Sequence, residues 1–242
     1  FKIVPVRPGQ MFIDQDRVIL NEGKPFFPIG LYHAQAFQDP DVFLALGVNM
    51  LQCWGWDWDD NLATNINVLA VEDPEKRAAR IKANAECLAK YKAAGVRLIY
   101  EEGSIWGEMV SSRKRPEEKY SFETNAVLHA KLEKVRDDPS KLVGMWYIAD
   151  EVSGRGWVPN LLRAKNLFNA LDEDTLTYNL SSGDPAVAPG GDILAVDSYP
   201  CYVGDGHNPL TLVATAMDRA RQGSDFRQPV IAVPQCFGED NN

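Results

Sequence analysis

The chain has 242 residues, of which 45% are hydrophobic and 24% are charged, so it can bury one large globular core. Its net charge of −9 argues against nucleic acid or an anionic membrane as a partner, and it does not oppose a neutral ligand. Four widely separated cysteines without a C-x-x-C pair and only three histidines argue against a zinc site. No apolar run reaches membrane-spanning length, and we expect neither a metal nor a cofactor.

A β-hairpin is the first predicted element, with a strand at 17–20, a turn at 21–24 and a second strand entered at 25–29. Residues 1–16 show no clear periodicity. From there, short apolar strands alternate with amphipathic helices. In the helix at 122–135, for example, Val127, Leu128, Leu132 and Val135 are predicted to face inward. The predicted strands are 27–32, 48–52, 96–100, 142–149, 176–180, 193–196 and 230–233, and the helices are 39–46, 74–94, 122–135, 161–171 and 210–222.

Seven β/α alternations in one direction indicate a parallel sheet, and their number favours a closed barrel over an open one. A doubly wound sheet would typically carry a glycine-rich phosphate loop after its first strand, which residues 30–33 do not supply. We therefore expect one domain over residues 1–242: a (β/α)8 barrel that stops after strand seven, with an N-terminal β-hairpin. The chain starts at Phe1 without a methionine, so its localisation is undetermined, with a secreted or periplasmic location slightly favoured.

The fourth predicted strand ends abruptly in two adjacent carboxylates, Asp150 and Glu151. Acids at the carboxyl end of a buried parallel strand lie at the mouth of a barrel, where α/β enzymes build their active sites. A helix N-cap is the alternative explanation for either residue.

Aromatic residues follow several of the strands. Trp54, Trp56 and Trp58 come after the second strand, and Tyr199 comes after the sixth. Flat aromatic rings can stack on the apolar faces of sugar rings, and His33 after the first strand could bond a hydroxyl. Core packing is the alternative for the aromatic residues, and a structural role is the alternative for the histidine.

Taken together, these strand ends resemble the retaining glycoside hydrolases built on (β/α)8 barrels, known as clan A. The matching segments are GKPFFPIGLYH, LGVNMLQCWG, AGVRLIYEEG, LVGMWYIADE, AVDSYP and PVIAVPQCFGE. The resemblance implies an acid/base glutamate after strand four, usually preceded by asparagine; here Glu151 is preceded by Asp150. It also implies a nucleophilic glutamate after strand seven, where Gln235 stands nearest and Glu239 lies slightly further along.

Glycoside hydrolysis needs two carboxyl groups on opposite sides of the scissile bond. We expect Glu151 to be the acid/base and Glu239 to be the second catalytic carboxylate, with Glu101, Glu102 and Asp197 as alternatives for the second role. The predicted substrate is an oligo- or polysaccharide cleaved at its O-glycosidic bonds. The predicted substrate-binding residues are His33, Trp54, Trp56, Glu102, Asp150, Asp197, Tyr199 and Gln235.

Two other functions stay open at this stage. Gln235 at the nucleophile position is compatible with a barrel relative that binds carbohydrate without cleaving it. A metal-dependent hydrolase is a further alternative, although His33, His129 and His207 show no H-x-H or H-E-x-x-H spacing.

Overall fold

A computed structural model describes residues 5–32, 39–52, 56–57, 62–63, 73–112, 118–199 and 211–234, without side-chain detail for residues 56–57, 62–63 and 111–112. Its N-terminal part is a three-stranded antiparallel sheet made of β1 (Met11–Ile13), β2 (Ile19–Asn21) and β3 (Lys24–Pro25). The predicted hairpin corresponds to β2 and β3, which turn at Glu22 and Gly23. Strand β1 was not predicted, because three residues are too short to show an alternation.

The main sheet has seven parallel strands, one for each predicted strand. Their order across the sheet is β4, β5, β8, β9, β10, β11 and β12, so each strand lies beside its predecessor in the series. The strands are β4 (Gly30–Tyr32), β5 (Met50–Gln52), β8 (Arg97–Glu101), β9 (Val143–Ala149), β10 (Leu176–Ser181), β11 (Ile193–Ser198) and β12 (Val230–Pro234). A small antiparallel pair, β6 (Trp56–Asp57) and β7 (Leu62–Ala63), lies between β5 and β8 in the chain.

Helices connect most of these strands, and three of the described helices begin at an Asp or Asn side-chain cap. The carboxylate of Asp73 accepts from the amides of Glu75 and Lys76, with Pro74 as the first helical residue. The helices are α1 (Pro40–Ala45), α2 (Pro74–Ala93), α3 (Gly103–Ser112), α4 (Ala126–Arg136), α5 (Val158–Leu171) and α6 (Leu212–Gly223). Helix α3 was not predicted. Within the described residues, no helix has the length and apolarity needed to cross a membrane.

Two hydrophobic clusters lie on opposite faces of the sheet, as the alternation of side chains along a strand requires. On β5, Leu51 packs outward with the helices, whereas Met50 packs into the interior with Met145 of β9. The prediction that Val127 faces inward is wrong, because its side chain is 81% exposed. The other three residues of that predicted face, Leu128, Leu132 and Val135, are buried.

The sheet curls until its two edge strands face each other. Residues of β4 and of β12 line one cavity of about 210 Å³, together with interior side chains of β5, β8 and β10. The sheet is thus a nearly closed seven-stranded parallel barrel, and the predicted fold class is confirmed. Between β10 and β11, the 3₁₀ helix Pro185–Gly190 takes the place of a full α-helix.

Candidate active site

Polar side chains collect inside the barrel at the carboxyl ends of its strands. Because side chains alternate along a strand, Glu101 lies on the same face of β8 as Ile99, which belongs to the interior cluster. By the same alternation, Asp197 lies on the face of β11 that carries Ala195. Gln52 follows Met50 onto the interior face of β5. All three side chains are at least nine-tenths buried.

Asp150 is held by two tyrosines at the end of β9. Its Oδ1 accepts hydrogen bonds from the hydroxyls of Tyr147 at 2.6 Å and of Tyr32 at 3.1 Å, and these hydroxyls lie 2.8 Å apart. Burial raises the pKa of Asp150, the two tyrosine bonds oppose that rise, and the charge of Glu151 adds to it. The carboxyl group is therefore fixed in one place on a rigid element.

Glu151 occupies a strained position at the rim of the barrel. Its φ of 45° lies in the left-handed region, which is unfavourable for a residue with a long side chain. The residues that follow Glu151 are held by hydrogen bonds: the amide of Val152 donates to the carbonyl of Leu180 at 3.1 Å. The amide of Gly154 donates to the carboxylate of Asp184 at 2.6 Å. These bonds hold the turn that presents Glu151 to solvent, where its side chain is exposed.

The carboxyl group of Glu151 shares its surroundings with Asp197 and Tyr199. Tyr199 donates to Asp197 at 3.0 Å and approaches Oε1 of Glu151 at 3.4 Å. Partial desolvation raises the pKa of Glu151, and a hydrogen bond with Asp197 and the charge of Asp197 raise it further. Glu151 is consequently a better proton donor near neutral pH than an isolated glutamic acid would be.

Glu101 is the most strongly perturbed acid of the site. Its side chain is 7% exposed, and burial raises its pKa to about 7, with contributions from the charges of Asp150 and Glu102. Its Oε2 has no hydrogen-bond partner among the residues that the structure describes. A buried carboxyl group in this state can hold a proton at neutral pH and exchange it when a ligand arrives.

Several residues of this site were not singled out from the sequence. Gln52, Tyr32, Tyr147 and Tyr178 lie in the interior beneath the carboxyl groups, and the rings of Tyr147 and Tyr178 are 5.3 Å apart. Each of them stands two residues after an interior position of its strand, which is the signal that the sequence offers, but a polar residue in a short apolar run is equally compatible with the outer face of a strand.

The structure separates Glu102 from this group. Glu102 follows Glu101, accepts from Ser104 at 2.9 Å and pairs with Lys131 of α4 at 3.0 Å. Asp150, Glu151, Asp197 and Tyr199 are brought together, as described above. The predicted site residues His33, Trp54, Gln235 and Glu239 lie outside the described residues, and Trp56 is described only as a backbone position in β6.

Two further aromatic residues that follow strands pack on the outside of the sheet. The rings of Trp106 and Trp157 are 5.6 Å apart, and both contact the core between sheet and helices. In the described ranges, no group of three or more His, Cys, Asp or Glu side chains is arranged to hold a metal ion.

Comparison with known proteins identifies the fold. A beta-glucuronidase from an uncultured Clostridium species superposes with a TM-score of 0.59 and 16% identity over 91% of this chain. The catalytic domain of a mannanase from Streptomyces sp. SirexAA-E gives 0.55 and 15% over the whole chain, which covers 77% of that domain. A GH2 beta-galacturonidase from Eisenbergiella tayi, bound to galacturonate, gives 0.54 and 13% over 96% of this chain. The chain has the fold of these glycoside hydrolases.

The likeness is one of structure and not of sequence. The chain spans 37% of the length of the beta-glucuronidase and 40% of that of the beta-galacturonidase. No protein-family model matches the sequence, and neither does any curated protein.

Proposed function

We propose that this protein is a glycoside hydrolase of the clan A type that cleaves O-glycosidic bonds of an oligo- or polysaccharide, with Glu151 as general acid/base. The observation that carries the proposal is the position of Glu151 at the mouth of the barrel, where its Oε1 lies 3.4 Å from the hydroxyl group of Tyr199 and the charge of Asp197 raises its pKa. The mannanase, the beta-glucuronidase and the beta-galacturonidase with this fold support the reaction class.

In this reaction, the protonated Glu151 gives its proton to the glycosidic oxygen as the bond to the anomeric carbon breaks. The resulting carboxylate then takes a proton from the water that completes hydrolysis. Asp197 supports the first step, because a negative charge in contact with Glu151 favours its protonated form. Strain at the backbone of Glu151 fits such a role, since strained residues cluster at functional sites.

The second carboxylate must face Glu151 across the sugar, about 5–5.5 Å away for retention or about 6.5–9.5 Å away for inversion. The hydroxyl group of Tyr199 lies 3.0 Å from Asp197 and 3.4 Å from Glu151, so we assign Asp197 to support the acid and not to be this second carboxylate. We assign the role to Glu239, on the resemblance of the sequence after β12, and keep Glu101 as the candidate within the described residues. Asp150, Asp197 and Tyr199 then bind or orient the substrate, along with His33, Trp54, Trp56 and Gln235.

The experiment compares purified wild type, Glu151→Gln and Glu86→Gln on a panel of aryl glycosides and polysaccharides. Glu86 is an exposed residue of α2 and serves as the matched control. We expect Glu151→Gln to lose about 10²–10⁴-fold in kcat/KM, the usual contribution of a general acid, and Glu86→Gln to match wild type. Equal turnover by wild type and Glu151→Gln on a cleaved substrate would contradict the assignment.

A second candidate function rests on Gln235, which stands nearest the position of the family's nucleophile. A glutamine cannot attack the anomeric carbon, so the barrel would then bind glycans without cleaving them. Saturable glycan binding without product release from any substrate of the panel would favour this function. Loss of hydrolysis in Glu239→Gln, for a substrate that wild type cleaves, would reject it.

A further inference from the structure

The mouth of the barrel concentrates carboxyl groups that have no cationic partner among the described residues. Glu101, Asp150, Glu151 and Asp197 all lie at the carboxyl ends of β8, β9 and β11. The ion pairs among the described residues involve other acids: no described lysine, arginine or histidine pairs with any of these four. Burial raises the pKa values of Glu101 and Glu151, and the charges of neighbouring acids, Asp150 for Glu101 and Asp197 for Glu151, raise them further.

Four buried polar atoms in the same place have no hydrogen-bond partner within the described ranges. They are Oε2 of Glu101, Oδ1 of Asp197, and both the oxygen and the nitrogen of the Gln52 side chain. Gln52 is 1% exposed and lines the interior cavity with Tyr32 and Tyr178. An unsatisfied buried polar group destabilises the folded state, so such groups in a native protein call for an explanation. Three of these four atoms are oxygens that can accept a hydrogen bond, so a ligand with several donors would satisfy them.

The tyrosines do not relieve the charge. Tyr147 and Tyr32 donate to Asp150, and Tyr199 donates to Asp197, so each hydroxyl group satisfies one carboxyl oxygen and carries no positive charge. Burial, together with the charges of Asp197 and Asp150, raises the pKa of Tyr178, so that hydroxyl group is neutral. Within the described part of the chain, these carboxyl groups have no cation beside them.

We propose that the barrel mouth binds a sugar unit carrying an ammonium group, so that the substrate class is glycosides of amino sugars. That the ligand is a glycoside rests on the proposed function. That it carries an amine rests on the carboxyl groups of the site. An ammonium group has three donors, no acceptor and a positive charge, which matches carboxyl oxygens without other partners. A hydroxyl group in the same place would donate one hydrogen bond and would not neutralise the carboxylates. A uronate would add a further negative group to the site.

Binding an ammonium group has a consequence that a neutral sugar does not share. Glu101 faces the charges of Asp150 and Glu102 and lies opposite Tyr147 on the neighbouring strand. Because its pKa is about 7, Glu101 is largely protonated at pH 6.5. A cation beside it favours the ionised form, so that binding releases up to about one proton.

The test is calorimetric titration of the full chain at pH 6.5 with glucosamine, glucose and glucuronate, each in two buffers of different ionisation enthalpy. We expect glucosamine to bind at least tenfold more tightly than glucose, with proton release for glucosamine alone, and glucuronate to bind most weakly. Asp150→Asn and Glu101→Gln should each reduce the preference for glucosamine, and Glu86→Gln should keep it. Urea unfolding of each variant verifies that it is folded.

Equal or tighter binding of glucose, or a glucosamine preference that survives both site variants, would overturn the inference. A separate titration uses Mg²⁺ or Ca²⁺ alone. If a metal ion binds and prevents the binding of glucosamine, the site is one for an inorganic cation and the amino-sugar proposal is wrong. Binding requires no turnover, so these results are independent of the activity of Glu151→Gln. Failure of hydrolysis with a retained glucosamine preference would remove the proposed function and leave the charge argument intact.

Discussion

The raised pKa of Glu101 predicts a pH-dependent cost to folding that Glu101→Gln removes. In the unfolded chain the residue ionises near its ordinary pKa of 4.5, and in the folded barrel it ionises at about 7. Between these values the folded state keeps a proton that the unfolded state has lost, so stability falls as pH rises. At about 1.4 kcal/mol for each pH unit, the full cost is about 3 kcal/mol, and it stays constant above pH 7.

Glutamine has nearly the same shape and no charge, so Glu101→Gln should unfold like wild type at pH 4. It should be more stable by up to about 3 kcal/mol at pH 8. The assay is urea unfolding of wild type, Glu101→Gln and Glu86→Gln at pH values from 4 to 9, analysed by linear extrapolation. The difference between Glu101→Gln and wild type should grow between pH 4.5 and pH 7 and then level off. A difference independent of pH would refute a buried, protonated Glu101.

Two further substitutions test the site and the barrel wall. Tyr147→Phe removes the donor 2.6 Å from Asp150, and hydrogen bonds to charged groups contribute about 1.5–3 kcal/mol. The pKa of Asp150 should therefore rise by about one to two pH units in a carbon NMR titration, and an unchanged pKa would show that the bond does not stabilise the carboxylate. Gly30→Ala would place a Cβ atom 2.6 Å from the backbone carbonyl of Met50, so we expect a loss of about 1–3 kcal/mol in urea unfolding. Gly107→Ala in α3 meets no atom within 4 Å and is the control, which should be neutral or stabilising.

The strands were predictable because their sequences are continuous apolar runs that end in turn or polar residues. Val143–Ala149 is buried along its whole length, and the acids that follow it mark the barrel mouth as expected. Helix α3 was harder to predict, because it starts at Gly103 and contains Gly107, and glycine has a low helix propensity. Its stability comes from tertiary contacts such as those of Ile105 and Met109, which are buried.

The arrangement of the site depends on information that no single segment contains. That Glu151 and Asp197 both approach the hydroxyl group of Tyr199 follows from the register between strands, including irregularities in the pairing of β9 with both neighbours. It also follows from the left-handed backbone conformation at Glu151, which the sequence does not predict because glutamate rarely adopts it. The neighbouring residues Glu101 and Glu102 illustrate the same limit: only the strand's orientation decides which one faces the interior and which one pairs with Lys131.

The central claim is that Glu151 donates a proton to the leaving oxygen, and the dependence of kcat/KM on the leaving group tests it most directly. The dinitrophenolate of a dinitrophenyl glycoside leaves as a stable anion without being protonated. The methoxy group of a methyl glycoside of the same sugar must be protonated before it can leave. Glu151→Gln should therefore lose about 10²-fold or more on the methyl glycoside and less than about tenfold on the dinitrophenyl glycoside. Equal losses on both substrates would contradict the role of Glu151 as the proton donor.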